Sequence, residues 1–153
     1  MRLIELIFIQ ELAAPPDVVW PWISDAEHLS AWSAVTVTAL EPGPEGLPDE
    51  AGAIREVRLP IGPLTLRLQE RVLEALPPQR FVYSVFRGGM VRYHRGTITL
   101  EPTSEGTRLQ WVVEMKPAIP GTGWIARRSL SSQFAEGLDT LAGLIAADGA
   151  ALP

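Results

Sequence analysis

From Gly52 to Lys116 the chain is almost continuously strand-like, and its last run alternates sharply. Leu109, Trp111, Val113 and Met115 stand against Arg108, Gln110, Val112 and Glu114. A period of two puts the first set on one covered face of a sheet. After Pro117 and Pro120-Gly121 the period changes to a helical one. Leu130, Phe134, Leu138, Leu141 and Ile145 now recur every three or four residues. An antiparallel sheet with one buried face needs a lid. A helix over 122–147, roughly 39 Å long, is the only element large enough to provide it.

The remaining segments fill in the order. Residues 3–12 read as a strand with Leu3, Ile7 and Ile9 on one face and Ile4, Leu6 and Phe8 on the other, so cover on both sides is expected. Ala13-Ala14-Pro15-Pro16-Asp17 breaks that strand and opens a short helix over 16–23. Ser24 and Glu27 have capping-box spacing, which predicts a second helix ending near Trp32. Strands follow at 34–41, 52–59, 64–76, 80–87, 91–101 and 106–116. The turn signals between them are the loop 41–48, Pro60-Ile61-Gly62-Pro63, Pro77-Pro78, Gly88-Gly89 and Thr103-Ser104-Glu105-Gly106. The expectation is one α+β domain over 1–153: a curved seven-stranded antiparallel sheet, two short helices and a long C-terminal helix. Two short helices cannot fill the space between sheet and lid, so a hollow remains there by construction.

Composition narrows the chemistry. A chain of 153 residues buries roughly 68–70% of its unfolded surface and needs no cross-links. It has no cysteine, which excludes disulfides, thiolate metal sites and a thiol nucleophile. Its net charge of −5 weighs against nucleic acid or anionic lipid as an electrostatic partner. Glu5 and Glu11 interrupt the N-terminal apolar run, and no stretch is long enough to cross a bilayer, so a soluble cytoplasmic protein without integral membrane association is expected. Lys116 is the only lysine and hence the only candidate for Schiff-base chemistry. The two histidines, His28 and His94, lack metal-ligand spacing, and no phosphate- or dinucleotide-binding motif occurs, so neither metal nor cofactor is expected. His28 belongs on a polar helix face, and Gly121-Thr122-Gly123 reads as a helix start.

Hairpin parity tells which side chains face the hollow. A two-residue turn at Gly88-Gly89 sets Tyr83 opposite His94, Val85 opposite Arg92 and Phe81 opposite Gly96. A turn at Ser104-Glu105 sets Ile98 beside Trp111 and His94 beside Met115. Alternation along 64–70 turns Glu70 inward with Leu64, Leu66 and Leu68, and Arg55 shares the parity of Val57 and Leu59. Arg55, Glu70, Tyr83, Arg92 and His94 then point into an apolar lining, the usual make-up of a small-molecule pocket. Each has a plainer alternative. A bulge near Glu70-Arg71 would turn Glu70 to solvent, Arg55 and Arg92 would snorkel to water, and Tyr83 and His94 would be hydrogen-bonded core residues. If Glu70 and His94 meet, they form an acid–base pair.

The stretch Phe8-Ile9-Gln10-Glu11-Leu12-Ala13-Ala14-Pro15-Pro16-Asp17-Val18-Val19-Trp20, followed by Ile23-Ser24-Asp25 and Trp32, resembles the opening of the START-like SRPBCC superfamily. More narrowly it is similar to the polyketide cyclase/dehydrase and lipid transport proteins. The resemblance covers essentially the whole chain. It implies the helix-grip fold, with a deep cavity for a hydrophobic molecule between sheet and long helix. The iron-ligating histidines of the superfamily's ring hydroxylases have no counterpart here. Three readings follow. The first is a carrier or binding protein whose hydrophobic or aromatic ligand sits among Trp32, Tyr83, Ile98, Trp111 and Phe134, with Arg55, Arg92 and His94 as polar contacts. The second is a cyclase or dehydratase with His94 or Glu70 as base and Arg55 or Arg92 stabilising an enolate. The third is a co-chaperone-like interaction module, which requires an exposed apolar patch away from the cavity mouth. A homodimer through sheet edges or helix faces stays open.

Overall fold

Two edges far apart in space are joined early in the chain, and this sets the architecture. In a computed structural model, which describes residues 3–151, strand β1 (Ile4–Leu12) leads into helices α1 (Pro16–Ser24) and α2 (Ala26–Trp32). They carry the chain to the opposite sheet edge, where β2 (Thr36–Glu41) begins a meander through β3 (Ile54–Ile61), β4 (Leu64–Leu76), β5 (Arg80–Arg87), β6 (Val91–Thr103) and β7 (Gly106–Pro117). The sheet order is β1-β7-β6-β5-β4-β3-β2, antiparallel throughout. Helix α3 (Gly123–Ala151) then runs back along the covered face. The expected α+β helix-grip architecture is therefore the one observed; residues 1–2 and 152–153 of the expected domain lie outside the described ones.

The alternation in β7 is realised in full: Leu109, Trp111, Val113 and Met115 are all buried. On β1, by contrast, only one face is covered. Ile4, Leu6 and Leu12 are buried while Ile7 and Ile9 are 54% and 61% exposed, because β1 is an edge strand whose outer face has no layer over it. The helix boundary between α1 and α2 also differs from the capping-box reading. Asp25, not Ser24, is the cap: its carboxylate accepts from the His28 N–H at 3.1 Å. The Ser24 hydroxyl instead donates back to the Trp20 carbonyl. His28 is exposed, as expected.

Helix α3 does two jobs along its length. Leu138, Leu141 and Ile145 are fully packed in the core, whereas Leu130 and Phe134, on the same face, are only half-buried. Gly137 marks the change. A side chain there would crowd the Trp32 carbonyl at 3.3 Å, so glycine lets α3 come down onto α2. Before that point the helix stands off the sheet.

Candidate functional site

The stand-off leaves a cavity of about 550 Å³ between the sheet and the first half of α3. Most of its wall is aliphatic or aromatic. At its inner end Trp111 stacks on Phe134 with centroids 4.4 Å apart and planes 10° from parallel. Trp32 meets Trp111 edge-on at 6.1 Å, and its indole N–H is tied to the Trp22 carbonyl at 2.8 Å. At the other end the cavity opens between the β3–β4 turn, the β5–β6 turn, the 117–122 segment and the start of α3.

A buried ion pair crosses the sheet floor. Arg55 and Glu70 are direct partners on β3 and β4, with side chains 2% and 7% exposed. Two guanidinium nitrogens donate to one carboxylate oxygen, Glu70 Oε1, at 2.9 and 2.5 Å. The third, Nη1, donates to the Ser24 carbonyl at 2.9 Å, at the electronegative C-terminal end of α1. The guanidinium also lies 5.1 Å from the centre of the Phe81 ring. Arg55 is thus a staple between helix pair and sheet, and neither it nor Glu70 turns to solvent. Two bulges keep the strand in phase: Phe86 on β5 and Leu73 on β4 are extra residues on either side of the Glu70–Val72 stretch.

Tyr83 and His94 do not face each other as a two-residue turn would have them. Tyr83 pairs with Gly96 and Phe81 with Ile98, a shift of two residues. The turn is wider, with Gly88 and Met90 both at positive φ, and the β5–β6 ladder stops at Tyr83. A shift of two preserves parity, so the faces stayed as expected while the partners changed. The Tyr83 ring lies across Gly96, where a Cβ would collide with it. Its hydroxyl accepts from the Trp111 indole N–H at 3.0 Å and keeps its own hydrogen free to donate. Burial, and then the charge of Glu70, push the Tyr83 phenol well above its ordinary pKa, so it stays a neutral donor.

His94 fills the splayed part of the β5–β6 hairpin. Its Nδ1 accepts the Val85 backbone N–H at 3.1 Å, which leaves the ring hydrogen on Nε2. Burial lowers its pKa to about 4. At neutral pH the imidazole is therefore a donor at Nε2 with no lone pair to spare. Glu70 and His94 do not form the acid–base pair weighed from sequence: the carboxylate is paired with Arg55 and the imidazole with the β5 backbone.

Trp32, Arg55, Glu70, Tyr83, His94, Ile98, Trp111 and Phe134 all line the cavity. Arg92 does not: a register shift between Val91 and Tyr93 turns it to the exposed side. Gln133 was missed from sequence. Its Oε1 is buried without a hydrogen-bond partner, and it lines the cavity one residue before Phe134. The signal is present, since Ala126, Leu130, Gln133 and Gly137 continue one helical face, but a stripe drawn from apolar residues alone (Leu130, Phe134, Leu138) passes over a glutamine. Among the described residues, no group of three His, Asp or Glu side chains could hold a metal ion, and no helix is long and apolar enough to cross a membrane.

Residues 10–146 match the model of a family described as polyketide cyclase / dehydrase and lipid transport. Among solved structures, a protein from Chromobacterium violaceum is similar at 25% identity, over 92% of this chain and 96% of that one, with a TM-score of 0.69. One from Rhodobacter sphaeroides is also 25% identical, over 94% and 93%, with a TM-score of 0.70. The di-domain ARO/CYC StfQ from the steffimycin biosynthetic pathway shares the fold at 16% identity, over 97% of this chain and 52% of that one, with a TM-score of 0.78. No curated protein matches the chain.

Proposed function

The chain belongs to the polyketide cyclase/dehydrase and lipid transport family, and from that premise we propose that it binds a hydrophobic small molecule bearing at least one polar group. The observation that carries this is a cavity of about 550 Å³ whose apolar wall contains polar atoms the protein leaves unspent. That volume falls within the roughly 300–1,000 Å³ usual for ligand pockets. The Tyr83 hydroxyl hydrogen and His94 Nε2–H are donors without protein acceptors, and the Gln133 amide oxygen is an acceptor without a donor. A buried polar atom left unpaired costs free energy until a ligand satisfies it. Trp32, Ile98, Trp111 and Phe134 supply the apolar grip, and a flat ring system suits the stacked Trp111–Phe134 end. Arg55 holds the floor in place and is spent on Glu70 and Ser24, so it does not contact the ligand as a free cation.

Carriage or storage is favoured over turnover because the two residues suited to proton abstraction are both engaged. A cyclase or dehydratase would need His94 or Glu70 released from these contacts on substrate binding. Native mass spectrometry of the freshly purified protein, followed by denaturing extraction, tests the reading. A bound species of a few hundred daltons that contains a hydroxyl or amide is the expected result. If an identified substrate is turned over and the His94→Ala, Glu70→Ala double variant abolishes that turnover while still folded, the enzyme reading replaces it. The interaction-module reading has one observation of its own, the exposed Ile7 and Ile9 on the outer face of edge strand β1, with exposed Leu3 just before it. Sedimentation of the Ile7→Lys, Ile9→Lys variant beside the parent reports whether that stripe holds a second chain.

A further inference from the structure

The net charge of −5 hides a marked separation of sign. The strand ends and loops at the closed end of the sheet hold Glu41, Glu45, Asp49, Glu50, Glu101 and Glu105. Toward the mouth end of the strands and of α3 stand Arg58, Arg67, Arg87, Arg92, Arg127 and Arg128, all exposed and none of them part of the cavity wall. Arg58 is paired with Glu56; among the described residues the other five make no ion pair. Arg58 and Arg67 are direct cross-strand partners, a placement of like charges that costs stability. Arg127 and Arg128 lie near the N-terminus of α3, where the helix dipole already favours negative charge and the first turn has no acid. Glu5 and Glu114, opposite each other on the outer faces of β1 and β7, are the nearby acids on that side, and Arg95 is the partner of Glu114 on β6.

The same rim is apolar at its tips. Leu64 is 71% exposed, Trp124 67% and Met90 60%, with Ile119 and Ile125 about half exposed beside them. They sit on three separate segments that converge on the cavity opening, and the 117–122 segment is tied to the β5–β6 turn by the Ala118 N–H to Met90 carbonyl bond at 2.9 Å. Exposed tryptophan and aliphatic tips within a collar of arginines match the chemistry of an anionic bilayer surface: headgroup phosphates for the guanidinium groups, the acyl boundary for the indole.

We infer that the cavity mouth docks peripherally on an anionic lipid surface, so that the cavity opens toward the membrane. Local charge, not net charge, governs this contact, because charges at the far end lie several Debye lengths away at physiological salt. The docking goes beyond the ligand-binding reading and is measurable without any ligand in the cavity.

Sedimentation with vesicles of phosphatidylcholine containing about one-third phosphatidylglycerol tests it. Binding is expected at low salt, is weakened severalfold at high salt and is absent with pure phosphatidylcholine. The Arg127→Gln, Arg128→Gln variant should bind roughly 30-fold more weakly, at about fivefold for each basic residue at the surface. Its fold is not at risk, since removing positive charge from a helix N-terminus is stabilising. Acyl chains brominated near the headgroup should quench part of the tryptophan emission, and Trp124→Phe should remove that part. Charge removal at the opposite end, Arg80→Gln with Arg108→Gln, should leave binding unchanged. The inference is overturned if the vesicles do not sediment the protein, or if both double variants bind alike. Capture on polyglutamate beads without vesicle binding would overturn it in favour of an acidic protein partner.

Discussion

Gln133 and Glu70 are both polar side chains in an apolar wall, and their substitutions should behave in opposite ways. Gln133 Oε1 is buried and unpartnered, a cost borne by the unliganded protein. Gln133→Leu should raise the stability of the ligand-free form by about 1 kcal/mol and weaken binding of the extracted ligand. Denaturant unfolding and a binding titration on the same samples measure both. Glu70 is spent on Arg55, so Glu70→Ala strands a guanidinium that is 2% exposed. Losing one partner of such a buried pair costs roughly 3–5 kcal/mol, whereas replacing both by apolar side chains is often close to neutral. Arg55→Met with Glu70→Leu should therefore be more stable than Glu70→Ala alone, less whatever the bond to the Ser24 carbonyl contributed. The sequence exposed the inward parity of Arg55 and Glu70 through alternation on two strands. That the pair is bonded depends on the β3–β4 register, which the turn at 60–63 sets and which side-chain pattern alone does not give.

At the scale of elements, the β5–β6 hairpin shows where reading ran out and why. Parity survives an even shift, so Tyr83, His94 and Ile98 were placed on the correct face although the turn was misjudged. Arg92 was lost because a bulge changes parity by one, and nothing in Val91-Arg92-Tyr93 announces a bulge. The hairpin's open half is plugged by His94, and this gives it a pH dependence. The ring titrates near 4 when folded and near 6.5 when unfolded, so the unfolded chain binds the proton more readily. Its contribution is present in full above about pH 6.5 and is lost as pH falls toward 4, roughly 3 kcal/mol in total. Unfolding free energies measured between pH 7.5 and 4.5 should fall more steeply for the parent than for His94→Gln. Two residues further along the same strand, Gly96→Ala should drive the Tyr83 ring of β5 off its seat and break its bond to Trp111, at about 1–3 kcal/mol.

For the whole molecule, the decisive quantity is the angle between one helix and one sheet. The order of elements was legible from period alone, and it implied a hollow because two short helices cannot fill the space beneath a long one. How empty the hollow is was not legible. That depends on Gly137 against Trp32, which brings the second half of α3 down and leaves the first half standing off. The two halves therefore have different supports. Leu138, Leu141 and Ile145 are packed in the core, while Leu130 and Phe134 lie half-buried over the cavity, Phe134 held by the Trp111 and Phe8 rings. Local opening follows packing. Backbone amides of 124–134 should exchange with deuterium much faster than those of 138–147 in the ligand-free protein. Filling the cavity with the extracted ligand should slow the first set and leave the second unchanged. Uniform protection along α3 with no ligand present would mean that the cavity closes in solution, and the binding function proposed for it would fail with it.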